Sequence, residues 1–89
     1  MLEKQIVVSN QLGLHARASA KLVQLANSFK STVMLVGNHR EVNAKSIMGV
    51  MMLAAGIGSR LTVRTEGPDE QEALDGVIEL FERKFDEGG

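Results

Sequence analysis

The amino-acid sequence predicts an α+β protein, a two-layer sandwich with the element order βαββαβα. Three observations lead to it. Four short runs are β-branched or alternate polar with apolar residues, as half-buried strands do. Three other runs repeat their apolar residues at helical spacing or form one short apolar helix. Turn-forming Gly, Asn, Pro and Asp residues separate the runs, so the connections are hairpins or helices that pack on one face of a sheet.

Taken in order, Gln5-Ile6-Val7-Val8 reads as the first strand and Ser9-Asn10-Gln11-Leu12-Gly13 as a turn-rich loop. From Ala16 to about Phe29, the residues Ala18, Leu22, Leu25, Ala26 and Phe29 form a helical stripe. Thr32-Val33-Met34-Leu35-Val36 is strand-like, Gly37-Asn38 turns the chain, and Arg40-Glu41-Val42-Asn43 returns as the other arm of a hairpin. Ile47 to Leu53 reads as a short helix with Ser46 as its N-cap, and Gly56 and Gly58 stop it. Arg60-Leu61-Thr62-Val63-Arg64-Thr65 alternates as a half-buried strand should. Gly67-Pro68-Asp69 breaks the chain, and Asp69 with Glu72 forms a capping-box pattern. Leu74, Val77, Ile78, Phe81 and Phe85 make the apolar stripe of a final helix, after which Gly88-Gly89 are expected to fray.

At 89 residues and 44% apolar, the chain is expected to be a single domain, residues 1–89, with one modest core and no deep cleft. Surface chemistry suits it better than a buried active site of many residues. The absence of cysteine rules out disulfides and thiolate zinc sites. The start Met1-Leu2-Glu3-Lys4-Gln5 lacks the basic segment and long apolar stretch of a signal peptide. No run nears the ~20 apolar residues of a membrane span. A cytoplasmic protein without membrane insertion is therefore expected.

Charge is uneven. Residues 1–65 hold eight Lys/Arg against Glu3 and Glu41, whereas residues 66–89 hold nine acids against Arg83 and Lys84. A solvated acidic helix explains the second half, and a basic face near His15 that docks acidic partners fits the first. Nucleic acid is not an expected partner, because the aromatics are three Phe only and no Lys/Arg cluster is dense.

The chemistry concentrates at Gly13-Leu14-His15-Ala16-Arg17-Ala18-Ser19-Ala20. His15 stands where a helix begins, and helix starts offer free N–H groups and the positive end of a dipole to an anion. Gly13 permits an unusual backbone angle upstream, Ala16, Ala18 and Ala20 keep the helix start open, and Arg17 supplies a permanent cation. Imidazole is the side chain that changes charge in the physiological range, and its neutral form has a ring nitrogen able to attack phosphorus. Catalysis at such a seat is mostly positioning and charge stabilisation. The sequence shows no second carboxylate near His15, so a partner is expected to supply the donor site and any metal. Ser19 is not expected to form a hydrolytic pair with His15, since no acid is placed to orient the ring. Metal binding by His15 with His39 is not expected, and His39 reads as a solvated turn residue.

Ser46 serves as a helix cap, and a phosphate added there would be favoured by the helix dipole. Ile47, Val50 and Leu53 can fill a core-facing stripe, which would leave Met48, Met51 or Met52 partly exposed as a flexible docking patch.

Gly13-Leu14-His15-Ala16-Arg17 and Lys45-Ser46-Ile47-Met48-Gly49-Val50-Met51 closely resemble the two motifs of HPr, the histidine phosphocarrier family of the bacterial phosphoenolpyruvate-dependent sugar phosphotransferase system. The similarity spans the chain in length and element order. It implies an open-faced sandwich, with four antiparallel strands in the order 1-4-2-3 covered on one face by three helices. It further implies that His15 takes a phosphoryl group on Nδ1 from phosphorylated enzyme I and passes it to an enzyme IIA domain, with Arg17 steadying the phosphate. The chain would then be a carrier with a phosphohistidine intermediate rather than an enzyme, without cofactor or metal, and is expected to act as a monomer. Ser46 matches the position modified by an ATP-dependent HPr kinase/phosphorylase, which slows the His15 cycle. Ala16, Ala20, Ile47, Met48 and Met51 match the docking surface for these partners. Many relatives have proline after the arginine, where this chain has Ala18. Proline pre-sets a first helical turn, but alanine is the best helix former, so the helix start is expected to survive.

The alternative is a ferredoxin-like binding module for RNA or a small regulatory ligand, whose βαββαβ order matches the first six elements. An RNA-binding sheet should carry exposed aromatics on its central strands, and strand order separates the two folds.

Overall fold

The computed structural model describes residues 1–87, so the expectation for Gly88-Gly89 lies outside the described residues. The strands are β1 (Leu2–Val7), β2 (Thr32–Gly37), β3 (Arg40–Asn43) and β4 (Arg60–Glu66), and the helices are α1 (Ala16–Asn27), α2 (Ile47–Met52) and α3 (Glu70–Glu82). The sheet is antiparallel throughout in the order β1-β4-β2-β3. This is the order that the HPr resemblance implies.

Register follows from the two-residue period of the strands. Gln5 lies opposite Thr62, Thr62 opposite Val36, and Val36 opposite Glu41 on the open face. Leu61, Val63 and Thr65 of β4 and Val33 and Leu35 of β2 are buried under the helices. Leu22, Ala18 and Ala26 of α1 and Val77 and Phe81 of α3 close over them, each large side chain contributing about 1.5–3 kcal/mol by leaving water. On the open face, the Arg64 guanidinium donates to Glu3 at 2.7 Å and Glu41 at 3.0 Å. No Phe lies in a strand, so the sheet lacks the stacking aromatics an RNA-binding surface needs.

Several boundaries differ from the sequence expectation. The first strand begins at Leu2 rather than Gln5 and ends at Val7. It is an edge strand, where Glu3 and Lys4 can pair with β4 without breaking a core. Ile47 is not in the core stripe but 42% exposed, while Val50 and Leu53 are buried. Asp69 does not cap α3 through its side chain. Its carboxylate instead accepts from the backbone N–H groups of Lys30 and Ser31 at 3.0 and 2.9 Å, and from the Ser31 hydroxyl. The hydroxyl, then the Lys30 N–H, hold its pKa down at about 2. Glu70, not Glu72, reaches back to accept from the Gly67 N–H at 3.1 Å.

The final helix stops at Glu82, short of Phe85. Lys84, Phe85 and Asp86 form a separate short turn with φ of 54°, 56° and 60°, all left-handed. Such backbone costs a non-glycine residue roughly 1–2 kcal/mol. Phe85 is wholly buried and packs edge-on against Phe81, with ring centroids 4.9 Å apart. The turn sends the chain back across α1 instead of away from it. No helix among the described residues is long and apolar enough to cross a membrane.

Candidate functional site

The loop before α1 is fixed by its own backbone. Gly13 has φ +65°, and a Cβ there would strike the Ala55 carbonyl and come within 2.7 Å of Gly56 Cα. Only glycine meets both demands. The Leu14 N–H donates to that same Ala55 carbonyl at 2.9 Å. Asn10, fully buried, donates from Nδ2 to the Gly13 carbonyl at 2.7 Å. These bonds deliver His15 to the N-cap position of α1 in extended backbone, with φ −75° and ψ −179°.

The His15 ring makes no capping bond to its own helix. None of the described residues accepts from the N–H groups of the exposed residues Ala16 and Arg17. These donors and the helix dipole form a seat for an anion. His15, Arg17, Lys21, Gln11, Leu12, Asp86 and Glu87 line an open depression of about 360 Å³. The His15 side chain is 28% exposed, enough for an incoming group to reach the ring. His15 and Arg17, paired by the sequence reading, both line this depression. Ala16 is exposed and Ala20 half-buried beside them, but Ala18 is buried in the core and does not border the opening. Ser19 is buried and its hydroxyl donates to the Leu14 carbonyl at 3.1 Å, so it is occupied structurally.

One expectation is overturned. The sequence showed no carboxylate near His15, yet Glu87 pairs directly with the ring, its side chain contacting Nε2. Asn10 Nδ2 also reaches the Glu87 carboxylate, at 3.3 Å. The hydrogen bond from His15, chiefly, holds the Glu87 carboxyl below its ordinary range. An ionised carboxylate only accepts, so Nε2 is the donor of this hydrogen bond and Nδ1 is the ring nitrogen not used by it. The acidic C-terminal segment is therefore not purely a solvated face. Asp86 and Glu87 return to the basic residues Arg17 and Lys21, and the surface at His15 is mixed rather than uniformly basic. Sequence reading also passed over Asn10, which looked like an ordinary loop residue.

Ser46 behaves as expected, with its hydroxyl accepting from the Gly49 N–H at 3.2 Å and capping α2. Beyond it, Met48 is 71% exposed, and Ile47, Met51 and Met52 stand out beside it. Helix α1 packs against α2, which puts the apolar patch on the element next to His15. His39 is exposed in the β2–β3 turn.

An open-faced α+β sandwich that presents a histidine at a helix start defines a class of small proteins built for chemistry at the surface. The chain belongs to the HPr phosphocarrier family of the phosphotransferase system: the model for the PTS HPr component phosphorylation site matches residues 2–83. A phosphocarrier protein HPr of Cupriavidus necator is 60% identical over 88 residues, covering 99% of both chains. The crystal structure of HPr-C-His from Thermoanaerobacter tengcongensis superposes with a TM-score of 0.94 at 42% identity, covering 98% of both chains. A crystal structure of an HPr dimer from the same organism matches with a TM-score of 0.77 at 42% identity, covering 96% of this chain and 98% of that one.

Proposed function

We propose that His15 of this chain accepts a phosphoryl group on Nδ1 from phosphorylated enzyme I and passes it to an enzyme IIA domain. The observation that carries the reading is the pairing of the ring with Glu87. Nε2 is committed to Glu87, which leaves Nδ1 as the nitrogen for attack, at the start of a helix whose first N–H groups find no acceptor among the described residues. Attack by that nitrogen on phosphorus forms the N–P bond. The bond from phosphorus to the donor's leaving atom breaks, and its electron pair stays with the donor. The Ala16 and Arg17 N–H groups and the Arg17 guanidinium then stabilise the transferred oxygens. The group leaves by the same route in reverse, so the chain is a carrier whose phosphohistidine is an intermediate.

Residues 1–89 act in this reading as one cytoplasmic domain of a phosphorelay, which serves sugar uptake, a nitrogen-related relay or regulation. Ala16, Ala20, Ile47, Met48 and Met51 form the surface on which both partners dock in turn, supported by the exposure of the last three. Ser46 is the regulatory position, modified by an ATP-dependent HPr kinase/phosphorylase. A phosphate there loses nothing to the helix dipole but adds negative charge beside the docking patch. Transfer by a monomer remains our reading, and the dimeric relative makes light scattering of the pure chain its direct test.

Incubation with enzyme I and phosphoenolpyruvate, followed by mass spectrometry, tests the function. The expected product carries one acid-labile, base-stable phosphate, and His15→Ala takes up none. Uptake by His15→Ala from that donor would overturn the assignment.

A further inference from the structure

The C-terminal segment does something that helix α3 does not require. After Glu82 the chain reverses through three consecutive left-handed residues, Lys84, Phe85 and Asp86, none of them glycine. Strained backbone of this kind persists only where its surroundings over-determine it. Here they do. Phe85 is wholly buried against Phe81, the Lys21 ammonium donates to the Phe85 carbonyl at 2.7 Å, and Arg83 is held by Glu79 at 2.6 Å and Asp86 at 3.2 Å. The outcome is the position of the next residue. Glu87 arrives on His15 Nε2, and the buried amide of Asn10, which also fixes the loop before His15, reaches its other oxygen.

We infer that Glu87 is a positioning residue for phosphoryl transfer at His15. Its carboxylate holds the Nε2 proton, fixes the ring so that Nδ1 faces the anion seat, and balances the positive charge the ring gains as the N–P bond forms. The inference deepens the reading of His15 as the phosphoryl acceptor and rests on it. The step moves no proton: Nδ1 contributes its lone pair, the donor's leaving atom keeps the pair from the broken bond, and the Nε2 hydrogen stays in the bond to Glu87. Arg17, Lys21 and Asp86 also face the depression, but none of them pairs with the ring among the described residues. A carboxylate behind an attacking imidazole acts here as an acid does when it orients a catalytic histidine.

The test compares Glu87→Ala and Glu87→Gln with the unsubstituted chain and with Glu82→Gln, which removes an exposed charge on α3 away from the ring. Rapid-quench transfer from phosphorylated enzyme I is expected to slow on the order of tenfold in Glu87→Ala, the effect of losing one hydrogen bond to a charged group. Glu87→Gln should fall between, and Glu82→Gln should match the parent. Nitrogen-15 spectra of the neutral His15 ring supply a readout that a purely structural role would not move. A hydrogen-bonded Nε2–H resonance is expected in the parent and should be lost in Glu87→Ala while the amide spectrum of the sheet is unchanged. Equal transfer rates with an unchanged ring spectrum overturn the inference while leaving His15 as the acceptor. Failure of the parent chain itself to take up phosphate overturns the functional reading instead.

Discussion

Helices α1 and α2 both begin at a residue in extended backbone, His15 at φ −75° and Ser46 at φ −114°, yet their side chains are used in opposite ways. The Ser46 hydroxyl turns inward and accepts from the Gly49 N–H, so the cap stabilises the helix. The His15 ring pairs with Glu87 instead and leaves the first N–H groups of α1 without an acceptor among the described residues. A third start, at α3, lies between the two, with Asp69 serving the Lys30-Ser31 turn rather than its own helix. The three starts differ in what the cap side chain binds: its own helix at Ser46, a distant turn at Asp69, and the C-terminal Glu87 at His15.

That contrast can be broken at each start, and the largest effect belongs to charge. Arg17→Glu places a carboxylate in the seat where phosphoryl oxygens are to be held. Transfer from enzyme I is expected to slow by about a hundredfold, as when a preorganised donor is lost, with an unchanged melting temperature. Unchanged rates would remove Arg17 from the mechanism. Backbone comes next. Gly13→Ala combines a left-handed φ with a collision against Ala55 and should cost about 2–4 kcal/mol in chemical denaturation. Gly49→Ala, at the Ser46 cap, meets the Asn43 carbonyl at 3.3 Å and the Cβ and hydroxyl of Ser46 at 3.5 Å, with no left-handed φ. It should stay within about 1 kcal/mol of the parent.

Ser46→Ala removes a cap and should cost about 1 kcal/mol of stability, leaving phosphate uptake at His15 intact. A loss of uptake would merge the two helix starts that the structure separates. The smallest effect is expected at Asp69, and it depends on pH. Its folded carboxyl is held at about 2 against an ordinary value of 3.8. The ionised form is thus favoured by folding. This contribution is complete above the ordinary value and is lost as pH falls from there through the folded value. Asp69→Asn should flatten the acid limb of the stability profile over that window, and an unaltered limb would contradict the assignment. The Glu87 carboxyl, also held low, contributes with the same sign.

Much of this was legible in the sequence because it was local. The helical stripe of α1, the Ser46 cap and the hairpin at Asn38 are each decided by neighbouring residues, whereas the need for glycine at position 13 is only half local, because Ala55 and Gly56 crowd it from across the chain. The HPr motifs added strand order, which alternation alone does not carry. The misreadings are long-range. Glu87 meets His15 across 72 residues, through a left-handed turn built from Lys, Phe and Asp rather than the Gly or Asn that usually mark such turns. Asp69 matched a capping box because its true partners, Lys30 and Ser31, are distant in sequence. Phe85 continues the apolar period of α3 but reaches the core by a reversal of the chain, and periodicity does not distinguish the two routes.

The ring itself offers the most direct test. Nitrogen-15 and phosphorus-31 spectra of the chain, recorded after incubation with enzyme I and phosphoenolpyruvate, report which imidazole nitrogen holds phosphorus. The account predicts phosphorus on Nδ1 of His15 and hydrogen on Nε2. Phosphorus on Nε2, or on any other side chain, would contradict it.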